Sequence, residues 1–86
     1  MNNRLLLPHA FKIWKHISSG MKNTIKVERA RKDLTQEALA EKIGVSRQTI
    51  NSIEKGKYVP STVLALKMSA VFEVPVNEFM SLDDED

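Results

Sequence analysis

The segment from residue 47 to residue 55 of this 86-residue sequence concentrates polar side chains that can donate and accept hydrogen bonds. On a helix, five of them share one face, because they recur at i, i+1, i+4, i+5 and i+8. They are Arg47, Gln48, Asn51, Ser52 and Lys55. Arginine can donate twice to guanine, glutamine or asparagine can pair twice with adenine, and serine can bond to several bases. An ordinary solvated surface is the alternative interpretation, but such surfaces are usually richer in glutamate and lysine.

Charge is distributed unevenly along the chain. The net charge of +2 is the balance of +3 over residues 1–20, +4 over residues 21–60 and −5 over residues 61–86. A polyanion is therefore a candidate partner for the basic part of the chain. The four acidic residues that end the sequence are expected to be a solvated tail.

Length and composition exclude several classes of protein. A chain of 86 residues makes one small domain, without room for an enclosed catalytic cleft. It has no cysteine, which excludes disulfide scaffolds, thiolate metal sites and thiol nucleophiles. No apolar run approaches the ~18 residues of a membrane helix. We expect a cytoplasmic protein that is not an enzyme and has no cofactor.

Two other groups of residues lack the partners that chemistry would require. His9 and His16 could share a helix face, but a metal site needs a third ligand and none is evident. Glu37 and Glu41 are four residues apart on a predicted helix, and a pair of catalytic carboxylates would need a cleft. We interpret all four as surface residues, and we expect no metal site.

Short helices must position the polar face, because no stretch alternates apolar and polar residues as a strand would. The sequence predicts an all-α fold of five helices, over residues 23–32, 36–43, 47–55, 62–72 and 76–80. Thr35, Ser46 and Ser61 are expected N-caps. Gly44 and Gly56 are expected to end helices in the left-handed conformation. The first helix carries Ile25, Val27 and Ala30 among its apolar residues. Residues expected to face the core are Ala38, Leu39, Ile43, Ile50 and Ile53, and one stripe of the fourth helix consists of Leu64, Met68, Val71 and Phe72.

The segment Gln36–Lys55 has the layout of a helix-turn-helix. From Thr35 to Lys57 it reads TQEALAEKIGVSRQTINSIEKGK, which resembles the helix-turn-helix of the phage-repressor family (lambda-repressor-like, Cro/Xre type). The resemblance continues through Pro60-Ser61, Leu64–Met68 and Val71–Pro75, and it covers about Asn23 to Met80. The sequence departs from the family at Thr62 and Ser69, where apolar residues are more usual, and at Glu73, where glycine is common.

This resemblance implies a compact five-helix DNA-binding domain and a sequence-specific transcriptional regulator, with a repressor as the expected role. The helix at about 47–55 would read the major groove. Implied base contacts are Arg47, Gln48, Asn51 and Ser52; implied phosphate contacts are Gln36, Lys55, Lys57 and Tyr58; and Arg29 and Glu54 would form a structural ion pair. The start of a helix suits Gln36 to an anion, since first-turn amides and the helix dipole favour negative charge there.

The expected partner is double-stranded DNA with a two-fold symmetric operator, bound by a homodimer. One reading helix spans only a few base pairs, and two helices ~34 Å apart would read successive faces of the groove. We expect dimerisation through the last helix, around Val76, Phe79 and Met80. Two alternatives remain open: the antitoxin of a toxin–antitoxin pair, and a protein-interaction adaptor that uses the same fold without reading DNA.

The chain divides into an extension over residues 1–20, a domain over residues 21–80 and an acidic tail over residues 81–86. The extension does not resemble a signal peptide, because its short leucine run is followed at once by Pro8. Four of its apolar residues lie near one helical stripe: Ala10, Phe11, Trp14 and Ile17. It could pack on its own domain or a second subunit, be an unordered or artificial leader, or bind a membrane surface.

Overall fold

The structure, a computed structural model, describes residues 21–83. Within that range the chain forms four α-helices, one 3₁₀ turn and a two-stranded sheet. The elements in order are β1 (Met21–Asn23), α1 (Ile25–Arg31), α2 (Gln36–Ile43), α3 (Arg47–Glu54), α4 (Thr62–Phe72), the 3₁₀ turn (Val76–Glu78) and β2 (Met80–Leu82). The predictions for residues 1–20, which include the two histidines, lie outside the described residues, as do the last three acidic residues.

The prediction of a fifth helix over residues 76–80, and so of a purely helical fold, is wrong. After Pro75 the chain makes only one 3₁₀ turn and then enters β2, which runs antiparallel to β1. Met21 faces Leu82 and Asn23 faces Met80 in this pairing. Three residues are too few to show the period-two alternation by which a strand is recognised in a sequence. The described fold therefore extends to Leu82, two residues into the segment predicted as tail.

Side-chain caps begin three of the helices, as predicted. The hydroxyl of Thr35 accepts from the amide of Ala38 at 2.9 Å, and those of Ser46 and Ser61 accept from amides three residues on at 3.1 Å. Gly44 ends α2 in the left-handed conformation, with φ of +80°. Gly56 was predicted as the C-cap of α3, but Lys55 takes that position and Gly56 follows it with φ of +76°.

Every α-helix contributes to one small core. Its buried apolar residues are Ile25, Leu39, Ala40, Ile43, Ile50, Ile53, Leu64, Ala65, Met68, Phe72 and Phe79. The rings of Phe72 and Phe79 meet edge to face with centroids 5.1 Å apart, which attaches the 3₁₀ turn to α4. Phe79 is only 2% exposed and packs in its own domain, so its predicted role in a dimer surface is wrong.

Two of the three apolar residues of α1 lie on the surface. Val27 is 46% exposed and Ala30 is also exposed. Helix α1 has seven residues and buries one narrow face, formed by Ile25 and Glu28. Positions two and five residues after Ile25 therefore point away from the core.

None of the helices within residues 21–83 is long and apolar enough to cross a membrane.

Candidate nucleic-acid interface

Helices α2 and α3 are joined by a tight turn at Gly44. The amides of Gly44 and Val45 both donate to the carbonyl of Ala40, at 2.8 and 3.0 Å, so the last turn of α2 is closed without a longer loop. Ser46 then begins α3 at once. Ala40 is 3% exposed and small enough to let a second helix approach closely. The sequence therefore sets both the length of the turn and the start of α3.

The two faces of α3 differ sharply in burial. Ile50 and Ile53 are fully buried and fix the helix on the core. On the other side, Arg47 and Gln48 are exposed in the first turn, while Asn51 and Ser52 are half-buried in the second. The first turn of α3 is therefore more exposed than the second.

Arg29 and Glu54 are brought together, where the sequence predicted an ion pair. Nε of Arg29 lies 2.6 Å from Oε2 of Glu54, and Nη2 of Arg29 donates to Oε1 at 3.2 Å. The two side chains are 13% and 8% exposed. Nη1 of Arg29 also donates to the carbonyl of Leu34 at 2.8 Å. One arginine therefore connects α1, the loop before α2 and the end of α3.

Gln36 extends this network to the exposed face. Its Nε2 donates to Oε1 of Glu54 at 3.1 Å and to Oδ1 of Asn51 at 3.3 Å, while its Oε1 accepts from Nη1 of Arg47 at 3.3 Å. A carboxylate only accepts and a guanidinium only donates, so both neighbours require the same orientation of the amide. Both amide hydrogens are then used inside the protein. A phosphate could reach the side-chain NH₂ group only by replacing one of them.

Asn23 is a supporting residue that sequence reasoning missed. Its Nδ2 donates to the carbonyl of Ile53 at 2.9 Å, and its Oδ1 accepts from the amide of Ile25 at 3.1 Å. The side chain therefore links β1 to the end of α3 and also satisfies an orphan amide at the start of α1. An asparagine two residues before an apolar helix is a capping signal, but its partner 30 residues away could not be inferred.

Two open cavities beside α3 are lined by most of the predicted site residues. A groove of about 530 Å³ is lined by Asn23, Thr24, Lys26, Val27, Arg29, Gln36, Asn51, Glu54 and Lys55. A smaller cavity on another side is lined by Gln48, Thr49, Ser52 and Tyr58. Arg47 and Lys57 line neither of the two; Arg47 borders a separate cavity beside α2, and Lys57 is exposed in the connector to α4. Among residues 21–83, no group of three or more potential metal ligands is present.

Comparison with known proteins places the whole described domain in one family. The sequence model of a helix-turn-helix family matches residues 25–79. An uncharacterized HTH-type transcriptional regulator of Methanocaldococcus jannaschii is 52% identical over 66 residues, which are 77% of this chain and 100% of that protein. The HTH-type regulator YgzD of Bacillus subtilis is 48% identical over 65 residues, covering 76% of this chain and 98% of YgzD.

A solved structure agrees with these sequence matches. The crystal structure of a candidate DNA-binding protein from Bacteroides fragilis superposes with a TM-score of 0.65 at 33% identity, and the match covers 71% of this chain and 98% of the other. The residues that the family model matches include the capped α2, the turn at Gly44 and the exposed start of α3. The chain therefore belongs to the Cro/C1-type, Xre-like helix-turn-helix family.

Proposed function

We propose that the protein is a sequence-specific DNA-binding transcriptional regulator, a repressor, that reads the major groove with the first turns of α3. One observation carries this proposal: the side chain of Gln48 is exposed, and within residues 21–83 it has no hydrogen-bond partner. A glutamine amide in that state can donate to and accept from one adenine edge at the same time.

The other proposed base contacts differ in how firmly the protein already holds them. Arg47 is exposed, and within residues 21–83 it bonds only to Oε1 of Gln36, so most of its donors remain for a guanine. Asn51 and Ser52 lie deeper, in the second turn of α3. Contacts from the second turn would need the helix to lie well inside the groove. We therefore assign most of the sequence preference to Arg47 and Gln48.

Phosphate contacts are proposed for Lys55, Lys57 and Gln36. The two lysines flank the end of α3, where their charge would meet the sugar–phosphate backbone and set the register of the helix. For Gln36 the main-chain amide at the start of α2 is the better donor, because the side-chain amide is already bonded to Glu54 and Asn51. Tyr58, predicted as a further phosphate contact, lines one cavity together with Gln48.

A homodimer on a two-fold symmetric operator completes the proposal. Helix α3 has eight residues, and a helix of that length contacts only a few base pairs. A second copy would double the contacts and lengthen the recognised sequence. Half-sites should then be separated by about one helical turn, ~34 Å.

Selection of binding sites from random double-stranded DNA tests the proposed function. The full chain should enrich one sequence that contains two related, inverted half-sites. A pool that stays random after repeated rounds, while the protein remains folded, would contradict sequence reading and favour the adaptor alternative. Enrichment of a single half-site would retain DNA reading and contradict the symmetric dimer.

A further inference from the structure

The cavity beside Tyr58 lies on the same side of α3 as two of the proposed base contacts. It has a volume of about 230 Å³ and is lined by Gln48, Thr49, Ser52 and Tyr58. Tyr58 belongs to the connector between α3 and α4, and its side chain is 48% exposed. A half-exposed aromatic ring next to Gln48 is a feature that phosphate binding alone does not require.

The backbone holds Tyr58 in place on both sides. Gly56 turns the chain with φ of +76°, and the amide of Lys57 donates to the carbonyl of Ser52 at 2.9 Å. On the other side Pro60 is buried. The ring is therefore attached to a short connector fixed at both ends. Within the described part of the chain, its hydroxyl makes no hydrogen bond that would hold it elsewhere.

The surface that lines the cavity is more apolar than polar. One of its hydroxyls is already bonded, because Oγ1 of Thr49 lies 2.9 Å from Oγ of Ser46 and shares a hydrogen bond with it. The aromatic ring of Tyr58 and the methyl group of Thr49 can supply carbon surface to a ligand there. In the major groove, the C5 methyl of thymine is the one apolar group that a base pair presents.

Building on the proposed function, we propose that Tyr58 is a specificity-determining residue whose ring, with Thr49, contacts a thymine methyl group. The thymine lies within one base pair of the adenine read by Gln48, since Gln48 lines the same cavity. Lys55 and Lys57 supply the charge for the neighbouring phosphates. A contact with a thymine methyl group gives Tyr58 a sequence preference. A hydroxyl bonded to phosphate would instead strengthen binding to all sequences equally.

The test uses the duplex recovered by selection from random DNA, with each thymine replaced in turn by deoxyuridine. This replacement removes the methyl group and leaves the base-pairing edge unchanged. At one position in each half-site, deoxyuridine should weaken binding of the natural chain about three- to five-fold, the effect of about one buried methyl group. Deoxyuridine at that position should weaken binding of Tyr58→Phe by the same factor. Tyr58→Ala should bind the thymine and deoxyuridine duplexes equally, and Tyr58→Gln serves if the alanine variant does not fold.

Two results would overturn the inference. An unchanged deoxyuridine penalty in Tyr58→Ala would place the methyl contact elsewhere. Equal weakening of selected and scrambled duplexes by Tyr58→Phe, with no deoxyuridine effect, would make the phenol a phosphate donor. After either result the proposed function still holds if Gln48→Ala weakens binding to the selected duplex more than binding to the scrambled duplex. Loss of that preference is a failure of the proposed function itself.

Discussion

Glu73 ends α4 in a backbone conformation that glycine adopts more easily than any other residue. Its φ is +62°, in the left-handed region, where a β-carbon is crowded. Its carboxylate lies 2.7 Å from Nζ of Lys32, and the hydrogen bond and the charge of Lys32 lower the pKa of Glu73 below its usual 4.5. The side chain is 74% exposed, so the ion pair contributes little to stability.

Glu73→Gly should therefore raise the thermal midpoint, and Glu73→Ala, which removes the ion pair but keeps the strain, should not. A difference of roughly 5 °C between the two variants is expected for a domain of this size. The ion pair of the natural chain is lost as pH falls below 4.5 through the lowered pKa, so the advantage of glycine over glutamate should grow in acid. Thermal unfolding at pH 7 and pH 3 measures both effects. Equal midpoints for the glycine and alanine variants would contradict the backbone argument.

At the scale of single residues, the sequence predicts what depends on near neighbours. The hydroxyl caps at Thr35, Ser46 and Ser61 were predicted because each bonds only three residues along the chain. The bonds of Gln36 to Asn51 and Glu54 span 15 and 18 residues. Such partners depend on how two helices cross, which no local pattern encodes.

The turn at Gly44 is the element that sets α3 against α2. A β-carbon placed on Gly44 would meet nothing within 4 Å, so space does not require glycine there. The φ of +80° does, because it lies where other residues are strained. Gly44→Ala should cost roughly 1 kcal/mol, and Gly44→Asn less, since asparagine tolerates this conformation. Urea unfolding measures both, and a loss of several kcal/mol for alanine would mean that packing matters at this position after all.

The ion pair of Arg29 and Glu54 holds three elements together, so its loss should affect the whole domain. Glu54→Gln leaves a nearly buried guanidinium without its anion, which costs roughly 3–5 kcal/mol. Glu41→Gln, an exposed residue on α2, is the matched control and should change little. Thermal unfolding of both variants and of Arg29→Met gives the comparison. If neither Glu54→Gln nor Arg29→Met lowers the midpoint, the pair does not stabilise the fold.

At the scale of elements, α2, α3 and α4 were predicted almost to the residue, and the chain end was not. Capping hydroxyls mark the start of all three helices, and glycines mark the ends of α2 and α3. Residues 76–82 have no such signals beyond Pro75, and their form depends on pairing with β1 some 60 residues earlier. Pairing with this distant strand replaces the predicted local helix, and no local sequence pattern indicates such a pairing.

For the whole molecule, the proposed homodimer predicts how many chains bind one operator. The dimer surface predicted from the sequence does not form as a helix, and Phe79 is buried, while Val76 and Met80 remain half-buried. Sedimentation of the full chain at micromolar concentration with the selected duplex should give two chains per duplex. One chain per duplex would contradict the dimer. A variant without residues 1–20 should then show whether the extension contributes to association.

We expect α3 to read bases while the lysines after it hold the DNA backbone. Titration of Gln48→Ala and Lys57→Ala against selected and scrambled duplexes, at several salt concentrations, tests both roles. Gln48→Ala should cost ~1–3 kcal/mol on the selected duplex and much less on the scrambled one. Lys57→Ala should weaken both about equally and reduce the salt slope by about one, since one fewer counterion is released. If Gln48→Ala lowers both affinities by the same factor, Gln48 does not read a base, and the assignment of α3 as the reading helix is contradicted.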